Sequence, residues 1–284
     1  MYRTDIQRIK NARQLCYRSL KSLTRIKEQT INNLTNHLNG PATSNTKTQT
    51  TNLKICINWV IIYIEIQKNT MNIIHVILDC GHGMNDTTNG KYSPLLDPGE
   101  FNLRDVTVYQ NRFREGNFNR LIGQRLERML RDAGFEVHTV SDNYNDNSLN
   151  DRVNKANQIA AKYGKGNCIY ISIHSNAAGN GTDWKNATGV SVHCSRKCSE
   201  SSKRLARLIY KNVLDKGYAG NRSIPQDQVW YNDFYVLKHT TMPAVLVENL
   251  FYDNKSDLKQ LMDDEHRNEI ASYLYQGILE FAAG

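Results

Sequence analysis

Ile73-Ile74-His75-Val76-Ile77-Leu78-Asp79-Cys80-Gly81-His82-Gly83 joins a short β-branched-rich run to a histidine set between two glycines. Two other runs end alike. Residues 168–173 lead into His174 within Ser172-Ile173-His174-Ser175-Asn176, and residues 244–247 lead into Glu248 within Val247-Glu248-Asn249. None of the three has a helical period, so each reads as a buried strand. In open α/β sheets, ligands and chemistry gather outside the carboxyl ends of the strands. Three such ends carrying His, His and Glu point to a metal site, because imidazole and carboxylate together suit a zinc that keeps one position open.

Around these runs, strand and helix patterns alternate. A strand over 72–79 leads to a long polar loop over 81–114. A helix follows over 115–133, with Phe118, Ile122, Leu126, Met129 and Leu130 on one face and Gly134 as its stop. Next come a strand over 136–140, a helix over 149–163 ended by Gly164, and strands over 168–174 and 189–194. A helix over 199–214 turns Leu205, Leu208, Ile209 and Val213 inward. A short strand over 234–237, the strand 244–248, and helices over 256–262 and 264–281 complete the pattern. Such alternation predicts an α/β fold: a single mixed, mostly parallel sheet with helices on both faces.

The chain has 284 residues and a formal charge of +8, unevenly spread. Residues 1–70 hold 11 Lys+Arg against 3 Asp+Glu, whereas residues 71–284 hold 25 of each. Any polyanion binding is therefore confined to the first segment, and no nucleic acid is expected at the later one. Residues 1–35 carry a weak apolar stripe that reads as helix. Residues 36–54 are an Asn/Thr-rich linker, and 55–66 a strand or short buried helix. Two domains result: a basic N-terminal extension over 1–70, and a catalytic domain over 71–284 that opens at Met71. The extension is either an upstream translation without function, ahead of an initiator at Met71, or a segment that contacts wall polymers or nucleic acid electrostatically. No stretch reaches the ~18 apolar residues of a membrane span. The nearest, 55–66, contains Asn58 and Glu65 and is followed by no small-residue cleavage site. The six cysteines lack paired CxxC spacing, which favours a reducing compartment.

Glu115 opens the helix after the long loop, where its carboxylate can turn back toward the strand ends. With His82 and His174 it completes two imidazoles and a carboxylate, the ligand set of a catalytic zinc. Glu248 is then left free as a general base, since zinc acidifies water and a nearby carboxylate can take the proton. Each residue also has a plainer reading. A histidine at a strand end is often only hydrogen-bonded, and a glutamate at a helix start favours the helix dipole. A carboxylate closing a Val-rich strand is harder to dismiss, because burying it unpaired is costly.

The segments Leu78-Asp79-Cys80-Gly81-His82-Gly83, Ser172-Ile173-His174-Ser175-Asn176-Ala177 and Pro243-Ala244-Val245-Leu246-Val247-Glu248 resemble those of the zinc-dependent N-acetylmuramoyl-L-alanine amidases. Between and after them, Leu149-Asn150-Asp151-Arg152-Val153-Asn154-Lys155-Ala156-Asn157, Phe234-Tyr235-Val236-Leu237-Lys238 and Asn249-Leu250-Phe251-Tyr252-Asp253-Asn254 continue the likeness over residues 72–282. The resemblance implies a sheet of about six strands and one Zn2+ held by His82, Glu115 and His174, with Glu248 as catalytic base. It implies peptidoglycan as substrate, cut at the amide between N-acetylmuramic acid and L-alanine. A monomer is expected. The family usually has proline where Cys80 stands, and Glu100 in the long loop is a rival to Glu115. Asp79 and Asn176 are candidates for orienting the histidines, and His239 for touching substrate. His75, His138 and His193 fall in predicted strands and read as structural, and Cys194 and Cys198 beside His193 are a weak metal signal.

Residues 176–189 are too short and too rich in Gly and Asn for a blocking helix, so the site is expected to be open without an activator. That resembles an endolysin held in the cytoplasm until release to the cell wall, with an exported bacterial enzyme as the alternative. Two other readings compete: a zinc peptidase or carboxypeptidase acting on stem peptides, and a non-catalytic cell-wall-binding module.

Overall fold

Strand β1 (His75–Cys80) is buried along almost its whole length and lies inside the sheet. That is why its sequence reads as a continuous apolar run rather than an alternation. A computed structural model describes residues 74–86, 91–218, 220 and 223–284. The expectations for residues 1–70, and the first two residues of the strand expected over 72–79, lie outside them.

After β1 come a small hairpin of β2 (Val108–Tyr109) and β3 (Arg112–Phe113), helix α1 (Glu115–Asp132), β4 (Glu136–Thr139) and α2 (Leu149–Tyr163). Strands β5 (Cys168–Asn176) and β6 (Ser191–Cys194), helix α3 (Glu200–Asp215) and β7 (Trp230–Tyr231) follow. The short helix α4 (Tyr235–His239), β8 (Ala244–Phe251), α5 (Lys255–Met262) and α6 (Asp264–Ala282) complete the order. The main sheet has six strands in the order β4-β1-β5-β8-β6-β7. β4, β1, β5 and β8 run parallel; β6 joins β8 antiparallel, with β7 parallel to β6. β8, the last strand in sequence, therefore sits between β5 and β6.

Alternation along β1 separates the two faces. Gly123 of α1 rests on the Cys80 thiol, while Arg152 of α2 reaches Asp79 on the opposite face. Helices thus cover both sides, as the sequence predicts. The α2 side holds Ile77, Tyr170, Ala244 and Leu246 against Val153, Ala156, Ala160, Val236 and Leu237. Helix α1 buries Phe118, Ile122, Leu126 and Leu130 at a four-residue spacing, and Gly134 ends it at φ 90°, with Phe135 N donating to Leu130 O. Ser148 and Ser199 cap α2 and α3, their hydroxyls accepting from Asp151 N and Ser202 N.

Three expectations are corrected. Residues 234–237 do not form a strand: Tyr235–His239 is helix α4, which buries Val236 and Leu237 while Phe234 and Tyr235 stay exposed. A short apolar run carries no period to separate the two. The sheet edge is instead made by β7, which the sequence reading omits. The strand expected over 189–194 joins the sheet ladder only from Ser191. Finally, the long loop before α1 contains the β2–β3 hairpin. Its turn residues Gln110 and Asn111 both have positive φ, at 50° and 53°, the backbone of a type I′ turn without the glycine that normally announces one.

Candidate active site

Gly81 is required by what lies over it. A Cβ there would come within 2.1 Å of His174 Cε1, so only glycine lets the His174 ring lie on the end of β1. The next residue, His82, turns its side chain at φ 59°. Arg120 of α1 fixes that turn, donating to His82 O at 2.6 Å and to the carbonyls of Asp142 and Asn143. Gly116 serves a similar closeness, since a Cβ on it would meet Gly83 O at 1.9 Å. The start of α1 can therefore press against the His82 turn.

That contact sets Glu115, the first residue of α1, between the two histidines. Its backbone N–H donates to Lys91 O at 3.2 Å. Its carboxylate lies 3.4 Å from His82 Nε2 and 2.9 Å from His174 Nδ1, and also accepts from Ser175 N at 3.2 Å. The imidazoles meet edge to face, 5.0 Å apart. Burial works to raise the Glu115 carboxyl, but the charge of His82 and the hydrogen bond and charge of His174 outweigh it and hold it down to about 2. Burial likewise opposes charge on His174, and the Glu115 bond and charge lift it above the ordinary imidazole value. One donor atom from each of His82, Glu115 and His174 lies within 4.8 Å of the others. Two nitrogens and a carboxylate oxygen so placed fit a divalent transition metal.

Glu248 faces this group from β8, in register with His174 on β5 and Ser191 on β6. The β5–β8 ladder shifts just beyond, between His174 and Asn176, with Leu250 at φ 62°. This is a β-bulge beside the site, a common device for re-aiming side chains. Asn249 anchors it, donating to His174 O at 2.6 Å. Glu248 Oε2 is buried without a hydrogen-bond partner among the described residues. Burial pushes the carboxyl up to about 7, against the charge of His174 and with the help of Glu115. The site opens into a cavity of about 130 Å3 lined by Lys91, Glu115, His174, Asn176, Glu248 and Tyr252, among others. A nearly ionisable base thus sits beside a ready-made cation site in a small polar pocket, a combination suited to activating water against a carbonyl.

The other candidates are placed less centrally. Asp79 does not touch the histidines: it is held by Arg152, by Tyr170 OH at 2.7 Å and by Ser172 Oγ at 2.8 Å. Burial would raise its carboxyl, and the Arg152 charge overrides this and lowers it. The Asn176 side chain accepts locally from Ala177 N. His239 lies exposed at the end of α4, its ring tilted against that of Tyr235, with its carbonyl accepting from Asn157. That is the amino-terminal side of β8, away from Glu248. Glu100 pairs with Lys255 on the surface. His193 is hydrogen-bonded to Ser191 and Asn232, and it does not converge with Cys194 and Cys198 on a cation site among the described residues. His75 and His138 bond each other at 3.1 Å.

The residues that do support His82 escaped the sequence reading. Asp146 Oδ2 lies 3.9 Å from His82 Nδ1, and its other oxygen accepts from Arg152 at 2.7 Å. Arg152 thereby ties the end of β1 to the residue behind His82. The only sequence signal for this is an aspartate in the Asn145-Asp146-Asn147 turn, six residues ahead of an arginine in the first turn of α2. Lys91 falls in the Gly90-Lys91-Tyr92-Ser93-Pro94 stretch of the long loop, which the sequence offers as a shaper of the glycan groove without singling out the lysine.

Residues 76–280 match the model of the N-acetylmuramoyl-L-alanine amidase family. The endolysin of Bacillus phage SPP1 is 33% identical over 134 residues, covering 46% of this chain and 44% of that protein. N-acetylmuramoyl-L-alanine amidase LytC of Bacillus subtilis strain 168 is 28% identical over 187 residues, covering 66% of this chain and 35% of that protein. The match thus spans less than half the length of either relative. Among solved structures, the N-acetylmuramoyl-L-alanine amidase from Clostridium difficile 630 superposes with a TM-score of 0.58 at 25% identity, over 74% of this chain and 97% of the other. Ami1 from Mycobacterium smegmatis gives 0.58 at 20% identity over 74% and 96%, a likeness of fold.

Proposed function

Because this chain belongs to the N-acetylmuramoyl-L-alanine amidase family, we propose that it hydrolyses peptidoglycan at the amide joining N-acetylmuramic acid to L-alanine, with residues 71–284 as the catalytic domain. His82, Glu115 and His174 are the residues that would hold a zinc ion, which when bound polarises the scissile carbonyl and acidifies the attacking water. Glu248 takes the proton of that water and delivers it to the departing alanine nitrogen. Asp146 keeps His82 oriented through the ring nitrogen facing away from Glu115. The observation that carries this reading is Glu248 itself: a carboxyl with an unpartnered oxygen, raised to about 7 and in register with His174.

Residues 177–188 form no helix, which supports a site open without an activator. We assign the enzyme to cell-wall lysis of the endolysin kind. The test is mass spectrometry of products from purified peptidoglycan, with and without a chelator, beside Glu248→Ala. Metal-dependent release of intact stem peptides beginning with L-alanine, lost in the variant, is the expected result. Peptides cut elsewhere would move the reading to a peptidase. No products from folded, metal-loaded protein would leave a wall-binding module.

A further inference from the structure

Lys91 is the sole lysine or arginine among the described residues lining the cavity that holds Glu115 and Glu248. Both carboxylates feel its charge, yet it makes an ion pair with neither. Its position is built rather than incidental. Its carbonyl accepts from Glu115 N, and the following residue, Tyr92, pairs with the backbone of Arg114. The Tyr92 ring is flanked by the guanidinium groups of Arg112 and Arg114, at 4.9 and 5.1 Å. It also rests on Gly181, where a Cβ would come within 2.6 Å of it.

Formal charge gives this lysine a purpose. The two carboxylates cancel a divalent cation held by His82, Glu115 and His174, and Lys91 then leaves the pocket one positive charge in excess. Such a pocket favours a ligand with a negative group close to the reacting amide. In a stem peptide, the residue after L-alanine carries either a free α-carboxylate or its amide. Two extended residues span about 7 Å, a separation that a lysine side chain rooted at the cavity wall can bridge.

We propose that Lys91 is a specificity residue that engages the free carboxylate on the residue following L-alanine, so that acidic stems are preferred over amidated ones. The proposal rests on the amidase reading for its substrate. Two probes test it: N-acetylmuramoyl-L-alanyl-D-glutamate, and the same compound with its α-carboxylate amidated. Zinc-loaded wild type should favour the acid by about tenfold, expressed in KM, as a charge-assisted hydrogen bond implies. Lys91→Met should erase that preference by weakening the acid alone, and Lys91→Arg should keep it. Equal use of both probes by wild type, or an equal loss on both in Lys91→Met, overturns the proposal. Calorimetric binding of the two probes to Glu248→Gln, with and without Lys91→Met, separates the two ideas. Preference for the acid that depends on Lys91, in a protein whose wild type cuts neither probe, would remove the amidase reading and leave Lys91 standing. Equal binding would remove Lys91 whatever the activity.

Discussion

Glu248 is a residue whose chemistry opposes its own burial. A carboxyl whose folded pKa exceeds its unfolded one holds its proton more tightly in the folded state, so its ionisation weakens the fold. Metal-free protein should therefore lose stability as pH climbs from the ordinary 4.5 toward about 7, and the full penalty persists above that. Glu248→Gln removes it. We expect the metal-free variant to melt higher than wild type above pH 7, by on the order of 2 kcal/mol after solvent screening, and to match it below pH 4. Its amidase rate should fall 10²- to 10⁴-fold. Thermal melts across pH check the first claim; curves that stay parallel from pH 4 to 8 would defeat it. Asp79 has the opposite sign. Its lowered carboxyl stabilises the fold above the unfolded pKa, near 4, and that contribution fades as pH falls through the folded value. Asp79→Asn should cost about 2–3 kcal/mol in denaturant unfolding at pH 7, because it leaves the buried Arg152 only the partly exposed Asp146 as counter-charge. A loss under 1 kcal/mol would mean that Asp146 and the carbonyls of Cys80 and Asn147 suffice for Arg152. At this scale, sequence reading recovers the residues that end strands: His82, His174 and Glu248 converge because strand ends converge. It misassigned Asp79, since a polar residue at a strand end can face either a ring or an arginine from a helix 73 positions away in the chain.

Among the elements, those with long periods were legible and the short ones were not. Helices α1, α2 and α3 are legible, the first two with their closing glycines Gly134 and Gly164, because three or more turns of amphipathic pattern leave little choice; the Ser148 and Ser199 caps emerge only in the structure. Helix α4 has five residues and β7 has two, lengths at which tertiary packing decides. The β2–β3 hairpin was hidden for a more specific reason. Gln110 and Asn111 adopt positive φ without glycine, and left-handed backbone costs an ordinary residue about 1 kcal/mol. Replacing the pair by Asn-Gly, the preferred type I′ sequence, should stabilise the protein by about that amount while leaving peptidoglycan hydrolysis intact. Equilibrium urea unfolding would test it, and an unchanged or lower midpoint would show that the strain is absent.

Across the whole molecule, the three candidate ligands come from the end of β1, the start of α1 and the end of β5. A cation joining them would lock a helix to two neighbouring strands. Binding that favours only the folded state adds about 4 kcal/mol at a thousandfold excess over Kd. Zinc should therefore raise the melting temperature of wild type by several degrees, and His82→Ala or His174→Ala should abolish the shift. A shift that survives both substitutions would place the ion elsewhere. The α/β architecture was legible at this scale because alternating strands and helices admit few arrangements. The antiparallel insertion of β6 was not, since nothing in a strand's own sequence states the direction of its neighbour.

The position of β8 has a consequence for how such a chain is made. This strand bears Glu248, arrives last, and fills a central slot between β5 and β6. A nascent chain still on the ribosome short of residue 244 has neither Glu248 nor the strand that joins β5 to β6. Pairings between residues so far apart in sequence form late and slowly. Hydrolytic competence is therefore deferred to the end of synthesis, and prematurely terminated or proteolytically shortened products would be born inert. For the wall-hydrolysing activity proposed above, this topology is itself a form of quality control.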